Sequence, residues 1–366
     1  MWDKTMARVL PADELGGLLA ALQKSGYQLI GPKIEDEAIV LGSVETVQDL
    51  PKGWVDEQDG GHYRLKSSKK AGYFDFTHGS HTWKRYLFPP KEKLWTATKS
   101  AKGISINEHR DTPKYAFLGV RACELAAISI QDEVLMKGDY VSEAYTARRE
   151  QAFIIALNCR RAGGTCFCVS QGTGPKADEG FDLALTELKD RFLVEAGSER
   201  GEQILAKLKT DDASKVDIRA ADKTIQKATD GMGRKMPTKA AAILEKNLES
   251  PRWDEIVKRC LDCANCTFVC PTCFCSTTTD ETSLDGATAE RYRQWDSCFT
   301  LDFSYIHGGA IRKSGGERYR QWITHKLTHW HDQFGMSGCV GCGRCITWCP
   351  VGIDITAEVK AFRKEK

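Results

Sequence analysis

The sequence predicts an α/β N-terminal domain, a helical linker and an α-helical C-terminal domain that carries a repeated cysteine motif. Three observations lead to this prediction. Apolar runs alternate with helical stretches in the first half, a polar segment follows, and most cysteines lie near the end of the chain. The expected boundaries are residues 1–215, 216–249 and 250–366. A chain of 366 residues has room for two or three domains with buried cores.

The α/β prediction rests on four short apolar runs. They begin at Tyr27, Ala38, Tyr115 and Phe153, and each is nearly continuous in apolar residues, as buried strands are. Helical stretches such as Ala7 to Ser25 alternate with them. This alternation is typical of a sheet covered by helices.

The domain junction is expected within residues 197–236, which are polar and charged. The segments GSERGE and DGMGRK there predict flexible turns. From Thr238 to Leu248 the Ala, Lys and Glu residues favour a helix. Ser250 and Pro251 then offer an N-cap and a proline at the first helical position, so a further helix is expected to run to Cys260.

Charge and hydropathy exclude several classes of function. The chain has 52 Lys and Arg against 50 Asp and Glu, a net charge of +2, which gives no basic surface for nucleic acid. No apolar run is long enough to span a bilayer, and the opening residues lack the apolar core of a signal peptide. We therefore expect no nucleic-acid partner, no membrane insertion and a cytoplasmic location.

Cysteine is the unusual residue, with 15 copies. Without a secretory signal, metal binding is favoured over a disulfide framework. Two segments share the spacing C-x2-C-x2-C-x3-C followed by proline. They are Cys260, Cys263, Cys266 and Cys270 with Pro271, and Cys339, Cys342, Cys345 and Cys349 with Pro350.

This spacing is that of bacterial two-cluster ferredoxins, in which the fourth cysteine of each run binds the other cluster. The predicted ligands of one [4Fe–4S] cluster are Cys260, Cys263, Cys266 and Cys349. Those of the other are Cys339, Cys342, Cys345 and Cys270. Structural zinc sites usually separate their C-x2-C pairs by a dozen or more residues, so zinc is the weaker interpretation. The C-terminal domain is thus predicted to be an α-helical, ferredoxin-like domain with two clusters.

The segment between the motifs, residues 271–338, is longer than in a compact ferredoxin. It contains the sequence RYRQW twice, at 291–295 and at 318–322. We expect these aromatic and basic residues to cover the clusters and the domain interface. Within the second motif, the small residues Gly341 and Gly343 are expected to leave backbone amides free to bond the cluster sulfurs.

A second group of four cysteines lies in the α/β half: Cys123, Cys159, Cys166 and Cys168. Cys123 and Cys159 follow predicted strands. If those strands are parallel, their ends meet at one edge, where ligands gather in α/β folds. A third [4Fe–4S] cluster is one interpretation, and packed apolar thiols are the other. The sequence leaves both open.

Three further cysteines, Cys273, Cys275 and Cys298, are expected to pack beside a cluster. They are also the second choice as ligands of a third site. The segment CPTCFC at 270–275 repeats part of GGTCFC at 163–168, so the two may meet across the domain interface. His78 and His81 are expected to have a surface or interface role.

Nucleotide fingerprints are absent, since neither G-x-G-x-x-G nor a P-loop occurs. The chain also lacks HExxH and a nucleophile elbow. Redox clusters without substrate chemistry predict electron transfer between partners.

Several segments together resemble a known family. They are GSHTWKRYLFPP at 79–90, GVRACELAAI at 119–128, GGTCFC with GTGP at 163–175, PRWDEI at 251–256, CPTCFC at 270–275, WDSC at 295–298, RYRQWITHK at 318–326 and CVGCGRCITWCP at 339–350. In this order they resemble the iron–sulfur β subunit of cytosolic sulfhydrogenases, which are NAD(P)-linked [NiFe]-hydrogenases. An iron–sulfur subunit of anaerobic sulfite reductase is similar.

The resemblance implies a non-catalytic subunit that relays electrons through [4Fe–4S] clusters. Its implied partners are the small and large subunits of the hydrogenase, together with a flavin- and NAD(P)-binding diaphorase subunit. The alternatives are the same relay beside the sirohaem subunit of a sulfite reductase, or a free-standing ferredoxin-like carrier.

Overall fold

The computed structural model describes residues 7–109 and 111–363. The first six residues of the predicted N-terminal domain and the last three of the predicted C-terminal domain lie outside the described residues. Between residues 7 and 363, apart from residue 110, no helix combines the length and apolar character needed to cross a membrane.

The strands, numbered along the chain, are β1 (Arg8–Pro11), β2 (Gln28–Glu35), β3 (Ala38–Ser43), β4 (Trp54–Asp59), β5 (His62–Ser67), β6 (Lys91–Ser100), β7 (Gly103–Glu108), β8 (Tyr115–Arg121), β9 (Phe153–Leu157), β10 (Leu183–Glu187), β11 (Arg191–Ala196), β12 (Asp211–Asp212), β13 (Ser276–Thr282), β14 (Thr288–Trp295), β15 (Tyr305–Ile306) and β16 (Gly309–Ala310). The α-helices are α1 (Leu15–Lys24), α2 (Lys84–Leu87), α3 (Ala122–Leu135), α4 (Glu143–Gln151), α5 (Glu199–Leu205), α6 (Lys215–Asp230), α7 (Ala240–Glu245), α8 (Arg252–Val257), α9 (Asn265–Phe268), α10 (Gly315–Thr324), α11 (Trp330–Phe334), α12 (Arg344–Thr347) and α13 (Ile355–Phe362). A π-helical turn, His325–His329, joins α10 to α11.

The N-terminal region is built on an eight-stranded mixed sheet with the order β12-β1-β11-β10-β9-β8-β2-β3. Its four central strands, β10, β9, β8 and β2, run parallel, and the outer strands are antiparallel. The four predicted runs form β2, β3, β8 and β9. The parallel arrangement brings the carboxyl ends of β8 and β9 to one edge of the sheet.

Alternate residues of the central strands face two separate apolar cores. On β8, Ala116 and Leu118 face the core that contains α1 and α5, whereas Phe117 faces the core that contains α3 and α4. A strand that is buried on both faces needs apolar residues at every position, which explains the continuous runs in the sequence.

Two predicted segments of this half differ from the structure. The stretch Ala7 to Ser25 is not entirely helical, because its first residues form β1, which pairs with β11 almost 200 residues later in the chain. Residues 197–236 are not mainly turns, since they contain α5 and α6. Each of these helices is capped by a serine, Ser198 and Ser214, whose side chain accepts a backbone N–H of the first turn.

A second sheet joins the two halves of the chain. Its order is β13-β14-β6-β7, with β14 antiparallel to β6. The RYRQW segment at 291–295 therefore lies in a strand, whereas the identical segment at 318–322 lies in α10. The C-terminal region contains strands as well as helices, in contrast to the predicted all-helical domain.

The C-terminal core is formed by side chains of short helices. Trp253 of α8, Tyr319 and Trp322 of α10, and Phe362 of α13 are buried together, and Phe167 of the N-terminal half joins them. Helix α8 begins after Pro251 as expected but ends at Val257, before Cys260. This core leaves the cysteine segments at the boundary between the two halves.

Candidate metal centres

The first centre lies at the first cysteine motif. Cys260, Cys263, Cys266 and Cys349 line one pocket of about 450 Å³, part of which is open to solvent. Cys263 is exposed, and the other three are half-buried. The remaining lining is mostly apolar. The four predicted ligands of this cluster therefore share one cavity, although Cys349 belongs to the second motif.

The second centre shows the reciprocal arrangement. The pKa of the Cys345 thiol is well above its usual value, first because of burial and then because Cys339, Cys342 and Cys270 lie near it. Burial also raises the pKa of Cys339 to about 11, and Cys342 and Cys270 are again among its charged neighbours. The fourth cysteine of each motif thus lies near cysteines of the other motif.

Among the described residues, no three or more His, Cys, Asp or Glu side chains are close enough together to hold one metal ion. Four sulfurs around one zinc ion would lie about 3.8 Å apart, because Zn–S bonds are about 2.3 Å long and tetrahedral. In a cubane each thiolate binds a different iron, so the four sulfurs lie farther apart than they do around one zinc ion.

A buried lysine accompanies the second centre. Lys326, in the π-helical turn, donates hydrogen bonds from Nζ to Sγ of Cys270 at 3.3 Å, to Oγ1 of Thr272 at 2.8 Å and to the carbonyl of Gly338 at 3.2 Å. The pKa of the Cys270 thiol is far below its ordinary value. The nearby Cys273 thiol has the largest effect, and the positive charge of Lys326 lowers the pKa further. The lysine therefore offsets the negative charge that thiolate ligands bring into a buried site.

The two motifs have the same backbone conformation at matching positions. Asp262 and Ala264 in the first motif have φ of 51° and 62°, and Gly341 and Gly343 in the second have φ of 66° and 79°. All four are left-handed, a region that residues other than glycine rarely adopt. The two motifs therefore share both their cysteine spacing and their backbone conformation at these positions.

Close packing adds a second requirement at the glycines. A Cβ on Gly343 would lie 2.3 Å from the carbonyl oxygen of Thr165, and one on Gly341 would lie 2.7 Å from Cα of Cys168. The amide of Phe167 also donates to the carbonyl of Gly341 at 2.9 Å. The loop that contains GGTCFC thus packs directly on the second motif.

An ion pair strengthens the same contact between the halves. Arg344 and Glu124 are both buried, and their side chains form a salt bridge. Arg344 also donates to the carbonyls of Gly79 at 2.9 Å and His81 at 3.1 Å, and Trp83 Nε1 donates to Glu124 at 3.0 Å. Three of the segments that carry the family resemblance meet at this pair.

The structure brings the four N-terminal cysteines together. Cys123, Cys159, Cys166 and Cys168 line one pocket of about 320 Å³, part of which is open to solvent, and Cys342 of the second motif also lines it. Burial raises the pKa of all four N-terminal thiols, that of Cys166 to about 12. We call this pocket the third centre.

The sheet explains how these four residues meet. Cys123 lies in the first turn of α3, directly after β8, and Cys159 follows the end of the parallel neighbour β9. Cys166 and Cys168 come from the loop that packs on the second motif. The expected convergence at the edge of a parallel sheet is therefore present, and its closing wall comes from the C-terminal half.

His78 also lines the third centre, so it does not lie at the surface, the first of its two expected positions. Its side chain is buried, and neither ring nitrogen has a hydrogen-bond partner among the described residues. Buried polar groups are nearly always paired, so these nitrogens point to a missing acceptor or ligand. Arg121 and Arg161 line the same pocket. The only signal in the sequence was the motif that contains His78, FTHGSHTW.

The remaining cysteines form a separate group. Cys273, Cys275 and Cys298 are absent from the lining of the third centre. The Cys273 thiol lies near that of Cys270, and the Cys275 thiol lies near that of Cys298, so that the members of each pair shift each other's pKa. Phe274, between two of them, packs in the same apolar cluster as Cys123 and Cys168, so the two similar CFC segments do approach each other.

Comparisons with known proteins identify the kind of domain that contains the two cysteine motifs. A family of 4Fe-4S dicluster domains matches residues 259–353, which contain all eight cysteines of the two motifs. Sulfhydrogenase 2 subunit beta of Pyrococcus furiosus is 31% identical over 284 residues, which cover 76% of this chain and 82% of that protein. No solved structure matches the chain.

Proposed function

Because the chain belongs to the family of sulfhydrogenase beta-like iron–sulfur subunits, we propose that it relays electrons, in the cytoplasm, between a [NiFe]-hydrogenase and a diaphorase subunit. It is an iron–sulfur electron-transfer subunit with a 4Fe-4S dicluster domain. The proposed partners are a flavin- and NAD(P)-binding subunit on one side and the small and large hydrogenase subunits on the other. The name of the relative, a sulfhydrogenase subunit, supports these partners.

One observation carries the proposal: the fourth cysteine of each motif lies near cysteines of the other motif. Cys349 lines the pocket of the first motif, and Cys270 lies among the thiols of the second. We assign the first cluster to Cys260, Cys263, Cys266 and Cys349, and the second to Cys339, Cys342, Cys345 and Cys270. A bound [4Fe–4S] cluster supplies reversible one-electron storage, and the thiolates hold its irons.

We also propose a third [4Fe–4S] cluster, held by Cys123, Cys159, Cys166 and Cys168. Four thiols around one buried pocket match the usual ligand set of a cubane. His78 supports this assignment, because a cluster sulfur would accept the hydrogen bond that its ring lacks. Packed thiols alone would leave that histidine without a partner.

The three sites have a definite order. Two proposed ligands of the second cluster also line the other pockets. Cys342 lines the third centre, and Cys345 lines the pocket of the first centre. The second centre therefore lies between the other two. The first centre is closest to solvent, with Leu261 62% exposed and Cys263 exposed. We infer that the first centre exchanges electrons with a partner subunit.

The surrounding residues make each site suitable for repeated electron transfer. Apolar side chains form most of the wall of the first centre, and Lys326 stabilises the added negative charge at the second. At the third centre Arg121 lies beside Cys159, whose pKa it lowers against the larger effect of burial. Because these groups are fixed by hydrogen bonds within the fold, little rearrangement is needed when charge changes.

The experiment is anaerobic purification of the tagged full-length chain from its own host, with identification of the proteins that accompany it. We expect a flavoprotein and hydrogenase subunits. We also expect about twelve irons per chain with three clusters, or about eight with two, from four irons per cubane. NADPH or NADH should reduce the clusters in the complex but not in the isolated chain, which has no dinucleotide fingerprint.

Other outcomes would change the proposal. Four irons or fewer, or stoichiometric zinc, would contradict the cluster assignment. A sirohaem subunit in place of the hydrogenase would assign the same relay to a sulfite reductase. Purification without any partner would favour a free-standing carrier.

A further inference from the structure

Two cysteines that the relay does not use face each other at the base of a hairpin. Cys275 directly precedes β13, and Cys298 follows β14 by three positions. The strands pair from Ser276 with Trp295 onward, and the amide of Asp296 donates to the carbonyl of Cys275 at 2.9 Å. The antiparallel pairing therefore holds the two segments together, and the two thiols are near enough for each to shift the pKa of the other.

Two buried lysines lie beside these thiols. Lys84 donates from Nζ to the carbonyl of Cys273 at 2.9 Å and lies 3.9 Å from the ring centroid of Trp295, and Lys326 bonds to Cys270. In the described part of the chain neither lysine forms an ion pair with a carboxylate. Their positive charges both act on the Cys275 thiol. A buried ammonium group needs a negative partner, and thiolate is the anion available here.

The thiols are also adjacent to both centres of the dicluster domain. Cys266, a proposed ligand of the first centre, lies near enough to Cys298 to raise the pKa of its thiol. Cys270, a proposed ligand of the second, lies near Cys273, which is two residues before Cys275. Cys275 and Cys298 are half-buried, so protons can reach solvent.

We propose that Cys275 and Cys298 form a redox-active thiol pair that exchanges two electrons with the first and second centres. The proposal rests on the relay function above. When the pair is oxidised, one Sγ–Sγ bond forms, two protons leave to solvent, and two electrons pass one at a time to the two oxidised centres. Reduction reverses each change. The lysines stabilise the thiolate that forms when the bond breaks.

The test uses the full-length chain in its native complex. The sample is poised anaerobically in reduced or oxidised form, then denatured in iodoacetamide with a metal chelator, and its peptides are identified by mass spectrometry. Cluster ligands become free thiols on denaturation and are alkylated in both samples. We expect Cys275 and Cys298 to be alkylated in the reduced sample and disulfide-linked to each other in the oxidised one.

Variants separate this pair from structural or ligand roles. Cys298→Ser should leave Cys275 alkylated in both samples without loss of iron, and Ser276→Ala, in the same hairpin, should behave as wild type. Lys84→Met should shift the redox potential at which the disulfide between Cys275 and Cys298 forms, whereas the exposed Lys91→Met should not.

Two results would overturn the proposed thiol pair. One is alkylation of both cysteines in every wild-type sample. The other is a loss of about four irons per chain in Cys298→Ser, which would make Cys298 a cluster ligand. Wild-type protein with four irons or fewer would instead overturn the relay.

Discussion

The two cysteine motifs have the same spacing and the same left-handed positions but different surroundings. In the first motif Ala264 occupies a position that Gly343 occupies in the second. The backbone twist alone therefore does not require glycine. Glycine is required in the second motif because the carbonyl of Thr165 lies where its Cβ would be, at 2.3 Å. The comparison shows that the cysteine motif determines the backbone conformation. Packing against the N-terminal half determines whether glycine or alanine occupies the left-handed position.

The same difference separates the roles of the two motifs. The first lies at the surface, with Cys263 exposed, and the second joins the halves of the molecule through Arg344 and the loop that contains Cys166. Changes in the second motif should therefore affect the whole fold and the third centre. Changes in the first should remain local.

The largest expected effect is the loss of a centre. Cys263→Ser and Cys345→Ser should each remove about four irons per chain. Cys345→Ser should also lower the stability further, because Cys345 packs against the C-terminal core and lies next to the second motif's contact with the N-terminal half. Iron analysis and urea unfolding under argon would measure both quantities. Equal destabilisation by the two variants would contradict the distinction between the motifs.

Breaking the buried ion pair should have the next largest effect. Glu124→Ala leaves the charge of Arg344 buried and unpaired, so we expect it to reduce the free energy of unfolding by about 3–5 kcal/mol. The matched control is Asp280→Ala, which removes the exposed pair with Arg291 and should leave the unfolding midpoint unchanged. Similar unfolding midpoints for Glu124→Ala and Asp280→Ala would show that the ion pair of Arg344 does not hold the two halves of the molecule together.

A methyl group tests the packing explanation directly. Gly343→Ala should lower the free energy of unfolding by about 2 kcal/mol or more, from the left-handed backbone and the contact with Thr165. Ala264→Gly, at the matching position of the first motif, should change it by less than about 1 kcal/mol. If Gly343→Ala changed the free energy of unfolding as little as Ala264→Gly, the contact with Thr165 would not be the reason that position 343 requires glycine.

The smallest expected effect is on the third centre. His78→Leu should keep the iron content and lower the midpoint potential of this centre by about 20–65 mV. That range is one hydrogen bond of about 0.5–1.5 kcal/mol, converted for a one-electron couple. The potential falls because a hydrogen bond to sulfur favours the more negative, reduced state. Potentiometry followed by electron paramagnetic resonance would measure it.

Two controls accompany the His78 variant. His78→Gln keeps a donor and should restore most of the potential, and the exposed His62→Leu should have no effect. Loss of about four irons in His78→Leu would mean that the histidine binds iron itself. An unchanged potential would show that it makes no bond to the centre.

The repeated segment RYRQW shows the limit of local sequence. At 318–322 it is helical, after a capping box in which Ser314 and Glu317 bond each other's backbone amides. At 291–295 the same five residues form a strand, which pairs with β13 in a hairpin and with β6 across nearly 200 positions of the chain. Propensity could not distinguish the two, since the five residues are identical and the strand partners of the first copy lie outside it.

The sequence by itself determined the buried strands, the eight motif cysteines and the family resemblance, which the 31% identity confirms. These features depend on short spacings and on continuous apolar runs, both of which are local. Only the tertiary structure decided that the four N-terminal cysteines share a pocket with His78, that Lys84 and Lys326 lie beside thiols, and that Thr165 excludes a side chain at position 343. The physical reason is that each of these contacts joins segments far apart in the chain, so it depends on how the sheets and helices pack and leaves no pattern in the sequence near either partner.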